Sequence, residues 1–239
     1  MIDLEINLTR GLLLSSLTKG SRQYIYLDKD NYQSNERPKC GCPVLFPFSG
    51  TNKDNLLIID GKKYETGIHG LVHSNNWELF NISDSFAEFI TSDSEFSRKS
   101  FPFAYQMRAK ISLDGNRINY LVSFINNSEN TMPCDCGFHP FFNISNLDNL
   151  SIAIKNNNSI IDMASIKANG QLFQDIKEVK VIDADRSIAI ELVQGLKNVL
   201  LWSGRPDKFL VIEPLSSRPN AINENTNSFN LKQGEAAFV

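Results

Sequence analysis

The stretch YQMRAKISLDGNRINYLVSF, Tyr105 to Phe124, decides the fold. Tyr105, Met107, Ala109, Ile111 and Leu113 alternate with polar neighbours, and Ile118, Tyr120, Val122 and Phe124 alternate again. A side-chain period of two means that each segment buries one face as a strand. Between them Asp114-Gly115-Asn116 supplies turn chemistry, so the stretch reads as a β-hairpin. Working outward, Ile2, Leu4, Ile6 and Leu8 alternate in the same way, as do Leu150, Ile152 and Ile154, and Ile188, Ile190 and Leu192. Turn-rich connectors such as Lys29 to Pro38 and Ser216 to Asn227 separate the strands and are read as ordinary loops. Only Ala164 to Ile176 could carry a short helix. Many short strands with few helices imply an all-β, antiparallel sandwich or barrel. No break in composition divides the chain, so residues 1–239 are expected to form a single domain.

Composition narrows the partners. The 239 residues are 41% hydrophobic and 21% charged, with a net charge of −3. No Lys/Arg cluster exists to neutralise phosphates, so a nucleic-acid partner is not expected. The longest apolar runs, such as Val199 to Trp202, fall far short of the roughly 20 residues of a membrane span. The N-terminal residues lack the basic start and apolar stretch of a targeting segment, so a cytoplasmic location is expected. Two Cys-x-Cys pairs, Cys40 with Cys42 and Cys134 with Cys136, could hold a metal through four thiolates. Free thiols acting as small apolar side chains are the favoured reading.

Chemistry falls on few residues. His69, His73 and His139 are the only histidines, and imidazole is the side chain whose free pKa, about 6.5, is nearest neutrality. His139 lies in Gly137-Phe138-His139-Pro140-Phe141-Phe142, a semi-apolar setting that suits either a proton donor or a core histidine. His69 follows Gly67 and precedes Gly70, which suggests an irregular loop rather than a helix. Glu213 closes the apolar run Phe209-Leu210-Val211-Ile212, where a carboxylate is expensive to bury unless paired or functional. Trp202 offers a flat face for a sugar ring, or core packing. No phosphate-binding Gly-rich loop and no Gly-x-Ser-x-Gly elbow occurs.

Four motifs occur in a defined order: Cys42-Pro43-Val44-Leu45-Phe46-Pro47, then Asp60-Gly61-Lys62-Lys63-Tyr64 leading into His69-Gly70, then Met132 to Phe142, then Ile212-Glu213-Pro214. In this order they resemble the aldose 1-epimerase, or galactose mutarotase-like, family, and within it the shorter LacX-like or YeaD-like branch. The resemblance implies a large antiparallel β-sandwich (a supersandwich) and interconversion of the α and β anomers of a free hexose or related aldose. It implies Glu213 as base at the C1 hydroxyl, His139 as acid at the ring oxygen, and His69 beside them. His73, Trp202 and Phe141 are expected to bind the sugar. No metal and no organic cofactor is implied, and the partner is a small-molecule sugar bound by a monomer or homodimer. The chain departs from the family where Thr51 and His73 stand in place of arginines. Two other readings stay open: a non-catalytic carbohydrate-binding or sensing protein, and a hexose-6-phosphate 1-epimerase.

Overall fold

The computed structural model describes residues 2–9, 11–34, 36–71, 75–155, 159–184 and 186–239; His73 lies outside them. The described residues form short strands in several antiparallel sheets, with three α-helices of four to six residues. The architecture is all-β. No helix among them is long and apolar enough to cross a membrane. The chain divides into two compact units. The first contains Met1–Ile6, Leu13–Pro43 and Phe138–Leu215; the second contains Asn7–Leu12, Val44–Gly137 and Ser216–Val239.

Most residues of the main sheet fall in the first unit. Along the sheet run Ile2–Asn7, Leu13–Lys19, Cys42–Leu45, Gly137–Phe138, Phe209–Leu215, Asn198–Trp202 and Gln171–Gln174. Phe141–Asn143 also pairs with Phe209–Leu215, in the register Phe141↔Val211 and Phe142↔Leu210. Every residue of Phe209–Leu215 is buried, which is why that strand reads as a continuous apolar run rather than an alternating one. Its odd positions, Phe209, Val211 and Glu213, share one face. Phe209 and Val211 pack there with Phe141, and Tyr26 and Trp202 close the cluster. A separate sheet pairs Ser151–Lys155, Glu178–Asp183 and Arg186–Glu191, of which the first and last were read from their alternation.

The second unit contains the hairpin that decided the fold class. Tyr105–Asp114 pairs with Arg117–Asn126 in the register Met107↔Phe124, Ala109↔Val122 and Ile111↔Tyr120. The loop is two residues long, and Gly115 takes φ +58° in it. This pair lies within a five-stranded sheet with Ala236–Phe238, Phe86–Ser92 and Glu78–Ile82. Phe46 sits in the aromatic core of the unit, with ring centroids 5.1 Å from Tyr105, 5.3 Å from Phe124 and 5.9 Å from Phe101. The Asp60-Gly61 motif is a second tight hairpin turn, joining Leu56–Ile59 to Lys62–Glu65; both turn residues have positive φ, as a two-residue hairpin loop often requires.

The short helix expected within Ala164 to Ile176 is Met163–Ala168, capped by the Asp162 side chain, and Gln171–Gln174 beyond it is a strand. Gly170, at φ +85°, ends the helix, and the strand pairs with Asn198–Trp202. Lys29 to Pro38 is not mere connector, since Lys29–Gln33 is a short helix.

Candidate active site

His139 is built into the main sheet by its neighbours. Its backbone N–H donates to Pro43 O at 3.0 Å, and the Phe141 N–H donates to Gly41 O at 2.8 Å. Pro140 has no N–H, but its carbonyl accepts from the Ile212 N–H at 3.4 Å. The 138–143 segment is thereby held between the strand of Pro43 and the strand of Glu213. His139 Nε2 lies 3.1 Å from Glu213 Oε1, and both side chains are more than nine-tenths buried. A buried carboxylate costs several kcal/mol unless it is paired, and this one is paired with a group that can carry a proton.

Aromatic faces surround the imidazole. Its ring centroid lies 4.7 Å from Phe141 and 6.3 Å from Trp202. Phe209 connects these to Tyr26, at 5.7 Å from Trp202 and 5.1 Å from Tyr26. Trp202 and Tyr26 are only partly buried, so the indole is neither plain core nor free surface. Four residues expected from sequence, His139, Glu213, Trp202 and Phe141, are thus brought together in the first unit.

His69 belongs to the second unit. It stands at φ +66°, an uncommon conformation for a side-chain-bearing residue. Its N–H donates to Gly50 O at 2.7 Å, while its Nδ1 accepts from the Gly50 N–H at 3.0 Å. A nitrogen that accepts carries no proton, so the imidazole proton is on Nε2.

Sequence reasoning missed a clamp near the segments that carry His139 and Glu213. Asp135 is buried, and its Oδ1 accepts from Ser216 Oγ at 3.1 Å and from the Ser228 N–H at 2.8 Å. Ser216 Oγ in turn accepts from the Cys136 N–H at 3.0 Å. Asp135 precedes His139 by four positions and Ser216 follows Glu213 by three. An acidic residue inside the Cys134-Asp135-Cys136 run was the one available signal. Ser216→Ala leaves two buried groups without this partner and is expected to cost about 1–3 kcal/mol. Urea unfolding measures it.

The cysteines behave as small apolar groups. All four are buried free thiols. Burial pushes the Cys42 thiol up to about 12, against a small lowering by the His139 backbone N–H. Burial likewise drives Cys134 and Cys136 far above the ordinary thiol range, with the neighbouring Asp135 charge adding to both. These three groups stay protonated near neutrality and are poor metal ligands. A thiol reagent at about pH 8 is expected to find none of the four in the native protein and all four after unfolding.

The aldose 1-epimerase family model matches residues 5–174, most of the chain. The match includes His69 and His139; Glu213 lies beyond it and joins the site through the strand pairing and the 3.1 Å contact. The search of curated proteins finds no match. Among solved structures, the Slr1438 protein of Synechocystis sp. PCC 6803 superposes with a TM-score of 0.85 at 22% identity, over 98% of this chain and 89% of that one. A galactose mutarotase related enzyme from Lactobacillus acidophilus gives 0.79 at 18% identity, over 100% and 95%. The YeaD protein of Salmonella typhimurium gives 0.68 at 16%, over 99% and 84%. Identities this low carry the fold alone. The fold is galactose mutarotase-like, and with the family model spanning most of its length the chain belongs to the aldose 1-epimerase family.

Proposed function

We propose that the protein interconverts the α and β anomers of a free hexose or related aldose, with Glu213 as the base and His139 as the acid. One observation carries this reading: the buried contact of His139 Nε2 with Glu213 Oε1 at 3.1 Å, on a strand face lined by Trp202 and Phe141. The Glu213 carboxylate takes the proton of the C1 hydroxyl as the C1–O5 bond breaks. Protonated His139 gives its proton to the ring oxygen, which leaves as the C5 hydroxyl. The open aldehyde rotates about C1–C2. Closure reverses both transfers: the C5 hydroxyl attacks the other face of C1, its proton returns to His139, and Glu213 returns its proton to the new C1 hydroxyl. No atom is gained or lost, and the acid and base end as they began. Each proton transfer is worth about 10²–10⁴-fold.

A hexose 6-phosphate is a weaker candidate. Arg218 belongs to the second unit and is hydrogen-bonded to Glu224, while Arg205 faces Asp28 at 4.0 Å. The two late arginines thus already meet carboxylates. Polarimetry on freshly dissolved α-D-glucose and α-D-galactose tests the proposal. Catalysed loss of rotation above the buffer rate is expected with at least one aldose. No acceleration across a panel of common aldoses overturns it.

A further inference from the structure

We infer that Gly204 is a positioning residue of the candidate site: having no side chain, it leaves the Trp202 indole its place beside His139, from which the ring can carry the face of a sugar. This role rests on the reading of that site as a sugar site. Gly204 lies outside the four ordered motifs that carried that reading.

Gly204 is exposed and sits in the bend that follows the strand Asn198–Trp202. A bend glycine commonly serves its own backbone by taking a positive φ, as Gly170 does at +85°. Gly204 does not: its φ lies outside the left-handed region. The backbone at 204 therefore accepts alanine, but the space does not. A Cβ at Gly204 would lie 2.7 Å from Trp202 Cζ2, 3.0 Å from Cη2 and 3.6 Å from Cε2. Carbon atoms rest about 3.5–4.0 Å apart, so the methyl group and the ring need roughly another ångström between them.

The backbone cannot supply it. Ser203 is fully buried, donating its N–H to Ile166 O at 3.0 Å and its Oγ to Phe209 O at 2.6 Å. On the other side of Gly204, Arg205 O accepts from the Lys208 N–H at 2.9 Å and the Phe209 N–H at 3.1 Å. Trp202 itself is held in register opposite Val211. What can yield is the indole, by turning about its side-chain bonds.

The direction of that turn is limited. The indole centroid lies 5.7 Å from Phe209 and 6.3 Å from His139, edge-on to the imidazole. Both partners are buried, and Phe209 is packed with Phe141 and Val211. All of these residues belong to the first unit. Trp202 is only partly buried, so a ring displaced from Gly204 moves toward solvent and away from the imidazole. The face offered to the C–H groups of a pyranose moves with it. The 3.1 Å contact of His139 with Glu213 involves neither residue 202 nor residue 204. Binding is therefore disturbed more than proton transfer, and KM responds more than kcat.

The test compares wild type, Gly204→Ala, Trp202→Phe and the double variant, each checked by thermal melting. Phenylalanine lacks the two ring atoms that a Cβ at 204 would strike, so it relieves the clash. Trp77 and Trp202 are the only tryptophans, and Trp77 is buried, so acrylamide quenching of indole emission reports on Trp202. In Gly204→Ala that quenching is expected to rise before any sugar is added. Saturation-transfer NMR titrations with D-glucose and D-galactose give affinity, and anomer exchange is read in the same samples. Gly204→Ala is expected to weaken the better-bound hexose about three- to tenfold and to raise KM to match, with kcat within about threefold of wild type. In the Trp202→Phe background the same change is expected to alter affinity less than about twofold. Quenching that does not rise, affinity equal to wild type, or an equal loss in both backgrounds overturns the assignment. Should Gly204→Ala not fold, a folded double variant upholds the ring contact and an unfolded one overturns it. Binding without exchange in wild type overturns the mutarotase reading and leaves Gly204 judged on affinity. Wild type that binds neither hexose overturns the sugar site, and the role of Gly204 with it.

Discussion

Glu213→Gln lowers catalysed anomer exchange about 10²–10⁴-fold and leaves the protein folded. Glutamine keeps the volume of the buried side chain and keeps an oxygen that can accept from His139 Nε2, 3.1 Å away in the native chain. Packing around Phe209, Val211 and Trp202 is therefore retained. What disappears is the capacity to take a proton. A carboxylate accepts the C1 hydroxyl proton and becomes neutral; an amide does not at any ordinary pH. Glu213→Ala is the poorer probe, since it leaves a cavity and strips a partner from a buried imidazole. Polarimetry gives the rate and urea unfolding gives the stability. A Glu213→Gln protein that exchanges anomers within a factor of about 3 of wild type removes Glu213 from the chemistry.

Gly70→Ala destabilises the chain by about 3 kcal/mol or more, in contrast to the same change at Gly61 or Gly115. All three glycines have positive φ, at +73°, +76° and +58°. A Cβ at Gly61 or Gly115 meets nothing within 4 Å, so only the conformational penalty, about 1 kcal/mol, applies there. A Cβ at Gly70 would lie 2.0 Å from Phe46 O and 2.5 Å from Phe46 C. Those are backbone atoms in the aromatic core of the second unit and cannot rotate away. Moving them apart breaks the Leu71 N–H bond to Phe46 O, 2.8 Å long, and shifts His69 on Gly50. Urea midpoints of the three variants, at a common m-value, make the comparison. Equal losses at the three positions contradict the close approach.

The fold was legible because its signal is local. Tyr105 to Phe124 alternates with period two around Asp114-Gly115, and neither strand needed a distant residue to be recognised. Phe209–Leu215 was harder: buried throughout, it lost its alternation, and only the apolar run Phe209 to Ile212 followed by Glu213 marked it, although the strand continues through Pro214 to Leu215. The short helix expected within Ala164 to Ile176 is present as Met163–Ala168, and the strand Gln171–Gln174 after it is fixed by pairing with Asn198–Trp202, which local pattern does not encode. In the site, His139 and Glu213 each looked even-handed alone, and their order among family motifs joined them. Their 3.1 Å contact is a consequence of strands pairing across 70 positions of sequence, which no local pattern encodes.

The most direct measurement is a double-mutant cycle on anomer exchange, comparing wild type, His139→Asn, Glu213→Gln and the double variant. Proton donor and acceptor acting on one bond are expected to fail together, so either single change should remove nearly all catalysed exchange and the double change little more. Independent, multiplying losses from the two changes, or exchange that survives both, would contradict the assignment of His139 and Glu213 as one acid–base pair.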